Sequence, residues 1–384
     1  MNPKHLAVIC DKLDAREIVG AQAILLAHRL LERGHRVTIV ARSAADPDID
    51  PRVEQRIAGV GSRFTFIGQR RYVRWLKRAL DESQYDHTVS LVSTLPAEIM
   101  APMRGTFRGY REAMLKLQFG PLGRLKYVLA GFTPTALANA YFEKQALGDP
   151  SLSVIISLSP LIERQLQSFV TQLRVRIEPA RCELPSQSST EDAVAQLRGK
   201  LARAWGLTSE EAWIVLPFTN PQLCGFEPML RAMKPLVEQG VDAVLLLVGQ
   251  ARYTHLAWID TLGLRDRVRF VGKTAYRLEF LAASDLIVSP SSFDPSGWGV
   301  LDGLAAKTPI ITTDACGLGE VVLKQGGTVI GSPADPSELL RAIRQQLAIG
   351  QKAMKPPDQA GTEGAVGRSL ADAIEDLISY KSPA

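Results

Sequence analysis

Two aspartates eight residues apart bracket the stretch best equipped for chemistry, Asp294-Pro295-Ser296-Gly297-Trp298-Gly299-Val300-Leu301-Asp302. An ionised carboxylate only accepts hydrogen bonds, so the pair suits a ligand rich in hydroxyls or a centre where positive charge develops. Gly297 and Gly299 leave the backbone open to close approach. A helix starting at Trp298 presents the amides of Trp298, Gly299 and Val300 to an anion, with phosphate or diphosphate as the natural guest. Each acid also has an ordinary reading: Asp beside Pro forms turns, and Asp302 alone is a helix-surface acid.

The elements that must position these residues are visible around them. The apolar run Asp285 to Val288 reads as a buried strand leading into the stretch. Pro290 to Gly297, rich in Pro, Ser and Gly, is a turn. Trp298 to Lys307 reads as a helix with Gly303, Ala305 and Ala306 available for tight packing, and Pro309 opens a strand over Ile310 to Thr313. The loop therefore sits at the carboxyl end of a strand, where open α/β sheets bind ligands.

At 384 residues the chain is long enough for two ordinary domains. With 46% hydrophobic and 22% charged residues, its composition is that of a soluble globular protein. A net charge of +5 and a pI near 9.0 suit a phosphate-bearing partner, nucleotide or anionic membrane, and equally a mildly basic surface. Cys10, Cys182, Cys224 and Cys316 show no CxxC spacing and read as free thiols of a reducing compartment. The start, MNPKHLAVICDK, has too short an apolar stretch for a secretory signal, and no run approaches the roughly 18–20 apolar residues of a membrane span. The expected location is cytoplasmic, at most against the inner face of the membrane, and nucleic acid is not an expected partner.

The chain opens with a strand over Leu6 to Cys10, a helix over Ala21 to Arg33 and a strand over Arg36 to Ala41, an order that argues for a parallel doubly wound sheet. His35, in the turn before a strand, reads as a solvated or capping histidine and not as a catalytic one. Asp86 to Ser93 is a further strand. Glu98 beyond it is either an acceptor contact or base, or a first-turn helix acid after Pro96. From Met100 to Phe132 the cations Arg104, Arg108, Arg111, Lys116, Arg124 and Lys126 face one acid, Glu112, with aromatic and aliphatic residues between them. Such a segment can lie in a membrane interface, cover a core with a solvated basic face, or contact the phosphates of an anionic glycolipid. Helices are expected over Thr135 to Leu147 and from Ser159-Pro160 onward, and strands over Ser153 to Leu158 and Arg174 to Pro179. A linker, Glu183 to Asp192, and a charged helix, Ala193 to Trp205, lead into a second alternation: Ala212 to Pro217, Glu227 to Glu238, Ala243 to Val248 and Val268 to Gly272. Helices over Glu338 to Leu347 and Ser369 to Tyr380 close the chain, with polar residues Lys352 to Gly364 between them.

The acid pair with Gly297 between, the Val248-Gly249 and Arg269-Phe270-Val271-Gly272 strand ends, Leu281-Ala282-Ala283-Ser284-Asp285 and the turn Cys316 to Glu320 together resemble the signature of retaining glycosyltransferases of family 4, glycosyl transferases group 1. Within that family they resemble the branch that adds glucose in lipopolysaccharide core assembly. The likeness is specific over Asp242 to Ile330 and weaker in the first half. It implies an α/β chain of the GT-B fold, two Rossmann-like doubly wound parallel-sheet domains facing a cleft. Their expected spans are an acceptor domain over 1–180 joined by a C-terminal helix over 365–384, a linker and connecting helix over 181–207, and a donor domain over 208–350. It also implies transfer of a sugar from a nucleotide-sugar to a hydroxyl of a glycolipid or saccharide acceptor, with retention and with neither metal nor cofactor.

In that scheme Asp294 orients the donor sugar or stabilises positive charge at its anomeric carbon, and Asp302 accepts from the ribose hydroxyls. Gly297, Trp298, Gly299 and Val300 face the diphosphate. Gly249, Gly272 and Thr219 complete the donor site, while Arg104, Arg108, Arg111 and Lys116 meet acceptor or membrane. The chain departs from the family pattern in three places. Both acids are Asp where the family usually has Glu. Glu17 and Ile18 fall where a glycine pair is usual, so either that loop is shifted by two residues or it is altered. On the loop from Phe218 to Gly225, Phe218 or Thr219 stands at the usual Arg and Cys224 at the usual Lys, so the cations that neutralise a leaving diphosphate are missing. Those departures give the alternative its content: a non-catalytic GT-B protein serving as a binding or partner subunit.

Overall fold

Aliphatic and β-branched runs form the strands, and amphipathic segments between them form the covering helices. The computed structural model describes residues 2–60, 65–117, 120–170, 175–182, 190–208, 210–218, 220–249, 252–272, 277–350 and 368–379. The chain divides into two compact units, Met1–Glu183 with Gly367–Ala384, and Leu184–Val366.

In the first unit the order is β1 (His5–Lys12), α1 (Ile18–Glu32), β2 (Arg36–Ser43), β3 (Glu54–Ile57), α2 (Phe66–Ser83), β4 (His87–Ser90), β5 (Ile99–Met100), α3 (Phe107–Lys116), α4 (Gly120–Ala130), α5 (Pro134–Leu147), β6 (Val154–Ser157), α6 (Pro160–Val170) and β7 (Arg176–Pro179). The sheet order is β3-β2-β1-β4-β5-β6-β7, with parallel pairings. A parallel sheet is covered on both faces, which is why Leu6 to Cys10 of the central strand are all fully buried.

The second unit contains α7 (Glu191–Trp205), β8 (Ala212–Pro217), α8 (Phe226–Glu238), β9 (Ala243–Val248), α9 (Tyr253–Thr261), β10 (Val268–Phe270), α10 (Arg277–Ala282), β11 (Leu286–Ser289), α11 (Trp298–Ala306), β12 (Ile310–Thr313), α12 (Gly319–Lys324), β13 (Thr328–Ile330) and α13 (Pro336–Ile349). Its sheet order is β10-β9-β8-β11-β12-β13, again parallel. Both sheets grow outward from their first strand on one side and restart on the other. The reversal falls between β1 and β4 in one unit and between β8 and β11 in the other, the position where such sheets open a ligand crevice. No described helix is long and apolar enough to cross a membrane. All four cysteines are buried, and none of them forms a disulfide.

The last helix, α14 (Leu370–Ser379), belongs to the first unit. Ser369 and Asp372 cap its start reciprocally, each side chain accepting from the other's amide. Arg33 pairs with Asp372, and Arg368 reaches Glu178 at 2.7 Å. Of the two readings of His35, solvated or capping, burial excludes the first. Its Nδ1 accepts from the Lys4 amide at 3.2 Å, which leaves Nε2 to donate to Glu375 at 2.9 Å. Burial opposes ionisation of Asp372, but bonds from the Ser369 hydroxyl and amide, with Arg33 nearby, outweigh it and hold its carboxyl below the usual range. Its stabilisation is therefore complete above the unfolded carboxyl's pKa of about 3.9 and is lost as pH falls through the lower native value. Asp372→Asn should lower Tm at neutral pH and match wild type in strong acid. Equal Tm values at neutral pH would contradict this account of the helix.

Candidate functional site

β11 is buried throughout and ends at Ser289, whose hydroxyl lies 3.2 Å from that of Ser291. From the end of β12, Thr312 donates to the Ser289 carbonyl at 3.1 Å, and Thr313 donates to that of Ser291. These bonds fix the direction in which the β11–α11 loop leaves the sheet. The loop is then tied to the segment after β12: the Asp294 amide donates to Ala315 at 3.1 Å, and the Gly317 amide to Asp294 at 2.9 Å. Gly297, with φ of +68°, turns the chain into α11.

The Asp294 carboxylate closes onto the helix that follows it. Oδ1 accepts from the Trp298 amide and Oδ2 from the Gly299 amide, both at 2.9 Å. The Val300 amide donates to the Gly297 carbonyl at 3.1 Å. This corrects the expectation of open amides at the helix start, because the chain's own carboxylate already occupies the anion position there. The glycine expectation is corrected as well. A Cβ on Gly297 would fall 2.4 Å from the Leu318 side chain, and one on Gly299 would fall 2.4 Å from Ser289 Oγ. Their missing side chains admit protein neighbours. Burial pushes the Asp294 carboxyl above the usual range, although the amides of Gly299, Trp298 and Gly297 work the other way. Asp302, one turn into α11, is 5% exposed and so is not a surface acid.

The loop after β8 lies against the loop after β11. Gly225 has φ of +74°, and a Cβ there would fall 2.2 Å from the Pro290 carbonyl oxygen. The Ser292 amide donates to the Leu223 carbonyl at 2.8 Å. Gly249 is equally tight against the Phe218 carbonyl oxygen, at 2.2 Å from a built Cβ, whereas Gly272 has open space around it. Thr219 lies outside the described residues. Phe218 turns inward: its ring meets Phe226 and His255 edge-on at 5.0 Å each and Phe270 at 5.5 Å. Cys224 is buried too, and burial pushes its thiol up to about 12. Phe218 thus supplies an inward ring and Cys224 a neutral thiol in the loop where the resemblance leads to an expectation of cations.

The first-unit residues do not form one free basic patch. Arg104 lies 4.0 Å from Glu17, and Arg108 pairs with Glu112 at 2.8 Å. Arg111 packs its guanidinium beside Gly131, and Lys116 is exposed at the end of α3. A run of exposed apolar side chains lies on α4, through Leu122, Leu125, Val128 and Leu129, with Phe132 just beyond. No sequence motif singles out Glu143 of α5. It is buried and accepts from the Phe107 amide at 2.7 Å, so it anchors the start of the helix carrying Arg108 and Arg111. The neighbouring Lys144 and Gln145 are polar too, so nothing local in the sequence marks Glu143 as buried. Glu98 starts no helix. It pairs with His87 at 2.9 Å, ahead of β5. In the loop after β1, Asp14 bonds Lys12 and Arg16, and a Cβ on Gly20 would strike the Asp14 backbone at 2.5 Å, so the loop itself fills the space above α1.

Residues 217–348, which include both reversal loops and the acid pair, match the glycosyl transferases group 1 family. The second unit carries a glycosyl transferases group 1 domain. The lipopolysaccharide glucosyltransferase WaaG of Escherichia coli (strain K12) is 30% identical to this chain over 145 residues, which cover 37% of each protein. The match thus spans little more than a third of that relative's length. A crystal structure of WaaG superposes with a TM-score of 0.74 at 20% identity, over 98% of this chain and 100% of that one. Anabaena HepE, solved in complex with UDP and glucose, superposes with a TM-score of 0.65 at 15% identity, over 98% of each chain. At these identities the likeness shows the fold, which is GT-B, with two Rossmann-like parallel-sheet units.

Proposed function

We propose that the protein is a glycosyltransferase that moves a sugar from a nucleotide-sugar to a hydroxyl of a saccharide or glycolipid acceptor of the lipopolysaccharide-core kind, with retention. The observation that carries this reading is the acid pair Asp294 and Asp302 on the loop and helix at the β8/β11 reversal of a group 1 domain. The group 1 domain takes the donor. Asp302 accepts from the ribose, and Gly249 and Gly272 offer backbone to the base. The Asp294 carboxylate, held by the Trp298 and Gly299 amides, faces the donor sugar. At the anomeric carbon that carboxylate stabilises the positive charge of the transition state. No metal takes part, so EDTA should leave turnover unchanged.

The direct test is incubation with a panel of nucleotide-sugars and a truncated lipopolysaccharide acceptor. Acceptor-dependent release of the nucleoside diphosphate is expected, with a product whose anomeric configuration matches the donor's. An inverted product would overturn retention, and no transfer from any donor would overturn the activity.

The reading includes work at the cytoplasmic face of an anionic membrane. Its support is α4, where Leu122 and Leu125 are 79% and 56% exposed beside Arg124. Burying two leucine side chains in an interface contributes about 3–6 kcal/mol at most, so Leu122→Ser with Leu125→Ser should lower binding to phosphatidylglycerol vesicles more than tenfold, a change of about 1.4 kcal/mol or more. Unchanged binding would remove the membrane from the account.

A further inference from the structure

Between α2 and α5 the first unit holds a cavity of about 340 Å³, lined among others by Phe66, Arg70, Lys77, Tyr141, Gln145 and Asp149. That volume suits a small ligand. Its two halves differ in chemistry. At one end Phe66 and Tyr141 stand with ring centroids 5.4 Å apart and remain 39% and 48% exposed, while the buried Phe142 backs Phe66 at 5.3 Å. At the other end are the Gln145 amide and the Lys77–Asp149 ion pair, 2.9 Å long. Exposed rings beside hydrogen-bonding groups suit a pyranose, which has an apolar C–H face and hydroxyls at its edge.

Charge makes the choice narrower. Along α2 the cations Arg70, Arg71, Arg74, Lys77 and Arg78 recur at i, i+1, i+4, i+7 and i+8, which places them on one helix face. Tyr72, Leu76 and Ala79 take the buried face. Among the described residues only Lys77 of the five has a carboxylate within ion-pair distance. Arg70 thus brings an uncompensated guanidinium into the cavity, and Arg71, Arg74 and Arg78 add to the positive field at its side. A planar guanidinium binds phosphate through two parallel bonds.

We propose that this cavity is a second saccharide site, which takes a phosphorylated sugar with its ring over Phe66 and Tyr141 and its phosphate on Arg70. A bilayer surface is disfavoured as the occupant, because it would press lipid against the ion pair and amide of a concave wall. The choice of a saccharide as the natural ligand rests on the glycosyltransferase reading, whereas the recognition chemistry does not.

The test is ligand-observed NMR on the full chain with glucose 6-phosphate, glucose and inorganic phosphate. Glucose 6-phosphate should bind, with glucose and inorganic phosphate each weaker by about tenfold or more. Arg70→Glu and Tyr141→Ala should each weaken it about tenfold, while Tyr141→Phe, which keeps the ring, should restore it. Thermal stabilisation by nucleoside diphosphates reports on the other unit and should be unchanged in these variants, which also shows that they fold. Glucose 6-phosphate binding with these dependences but no nucleotide effect in wild type would sink the transferase reading and leave this site standing. Equal affinity for inorganic phosphate, indifference to Arg70→Glu and Tyr141→Ala, or loss of phosphatidylglycerol-vesicle binding in Arg70→Glu without loss of the sugar phosphate would each overturn the proposal.

Discussion

Asp294→Ala should abolish sugar transfer, with turnover falling by about a thousandfold, the scale of removing a charged group aimed at the transition state. The same change should cost about 2–4 kcal/mol of stability, because the Trp298 and Gly299 amides lose their acceptors together. Both effects come from one side chain, so the informative comparison is Asp294→Asn. Its single amide oxygen can serve one of the two amides and recovers part of the stability, but it carries no charge. Turnover that stays low while stability returns would locate the chemistry in the carboxylate. Full turnover of Asp294→Ala with any donor would show that the acid only builds the loop.

The second large effect is expected at Gly225→Ala. The positive φ alone costs a residue with a side chain about 1–2 kcal/mol. The added Cβ would also fall 2.2 Å from the Pro290 carbonyl oxygen, a backbone atom that cannot rotate away. A loss of about 3 kcal/mol or more is expected, together with loss of nucleotide binding, since the two reversal loops must part. Gly240→Ala is the control: its φ is +83° and nothing lies within 4 Å of a built Cβ, so only the conformational cost applies. Similar denaturation midpoints for the two variants would show that the contact between the loops is soft.

What could be read without a structure followed from burial. Ala212–Pro217 and Ala243–Val248 are strands at the bounds that their continuous apolar runs suggest, because strands buried on both faces are filled mostly by apolar residues. β3, with sequence EQRI and only partial burial, has no such run, and the two-residue β5 is too short to show one. α2 does carry signals, since Thr65 caps it through the Gly68 amide and Tyr72, Leu76 and Ala79 supply a helical period, but its many cations dilute the apolar pattern. In the site the strand–loop–helix–strand order that carries Asp294 and Asp302 was legible from the apolar runs and the Pro, Ser and Gly between them. The direction of the Asp294 carboxylate was not, since spacing says nothing about which amides a side chain reaches. Nor could the inward turn of Phe218 be foreseen, because it depends on Phe226, His255 and Phe270 arriving from three other segments.

The central claim is that the β8/β11 reversal of the group 1 domain still binds a nucleotide-sugar without the expected cations. Thermal unfolding with a panel of nucleoside diphosphates and their sugars tests it most directly. The account predicts that one base stabilises the protein by about 2.7 kcal/mol at a hundredfold excess over its dissociation constant, and that Asp302→Ala removes the effect. No stabilisation by any nucleotide would contradict it, and the domain would then have kept the glycosyltransferase fold without the donor site.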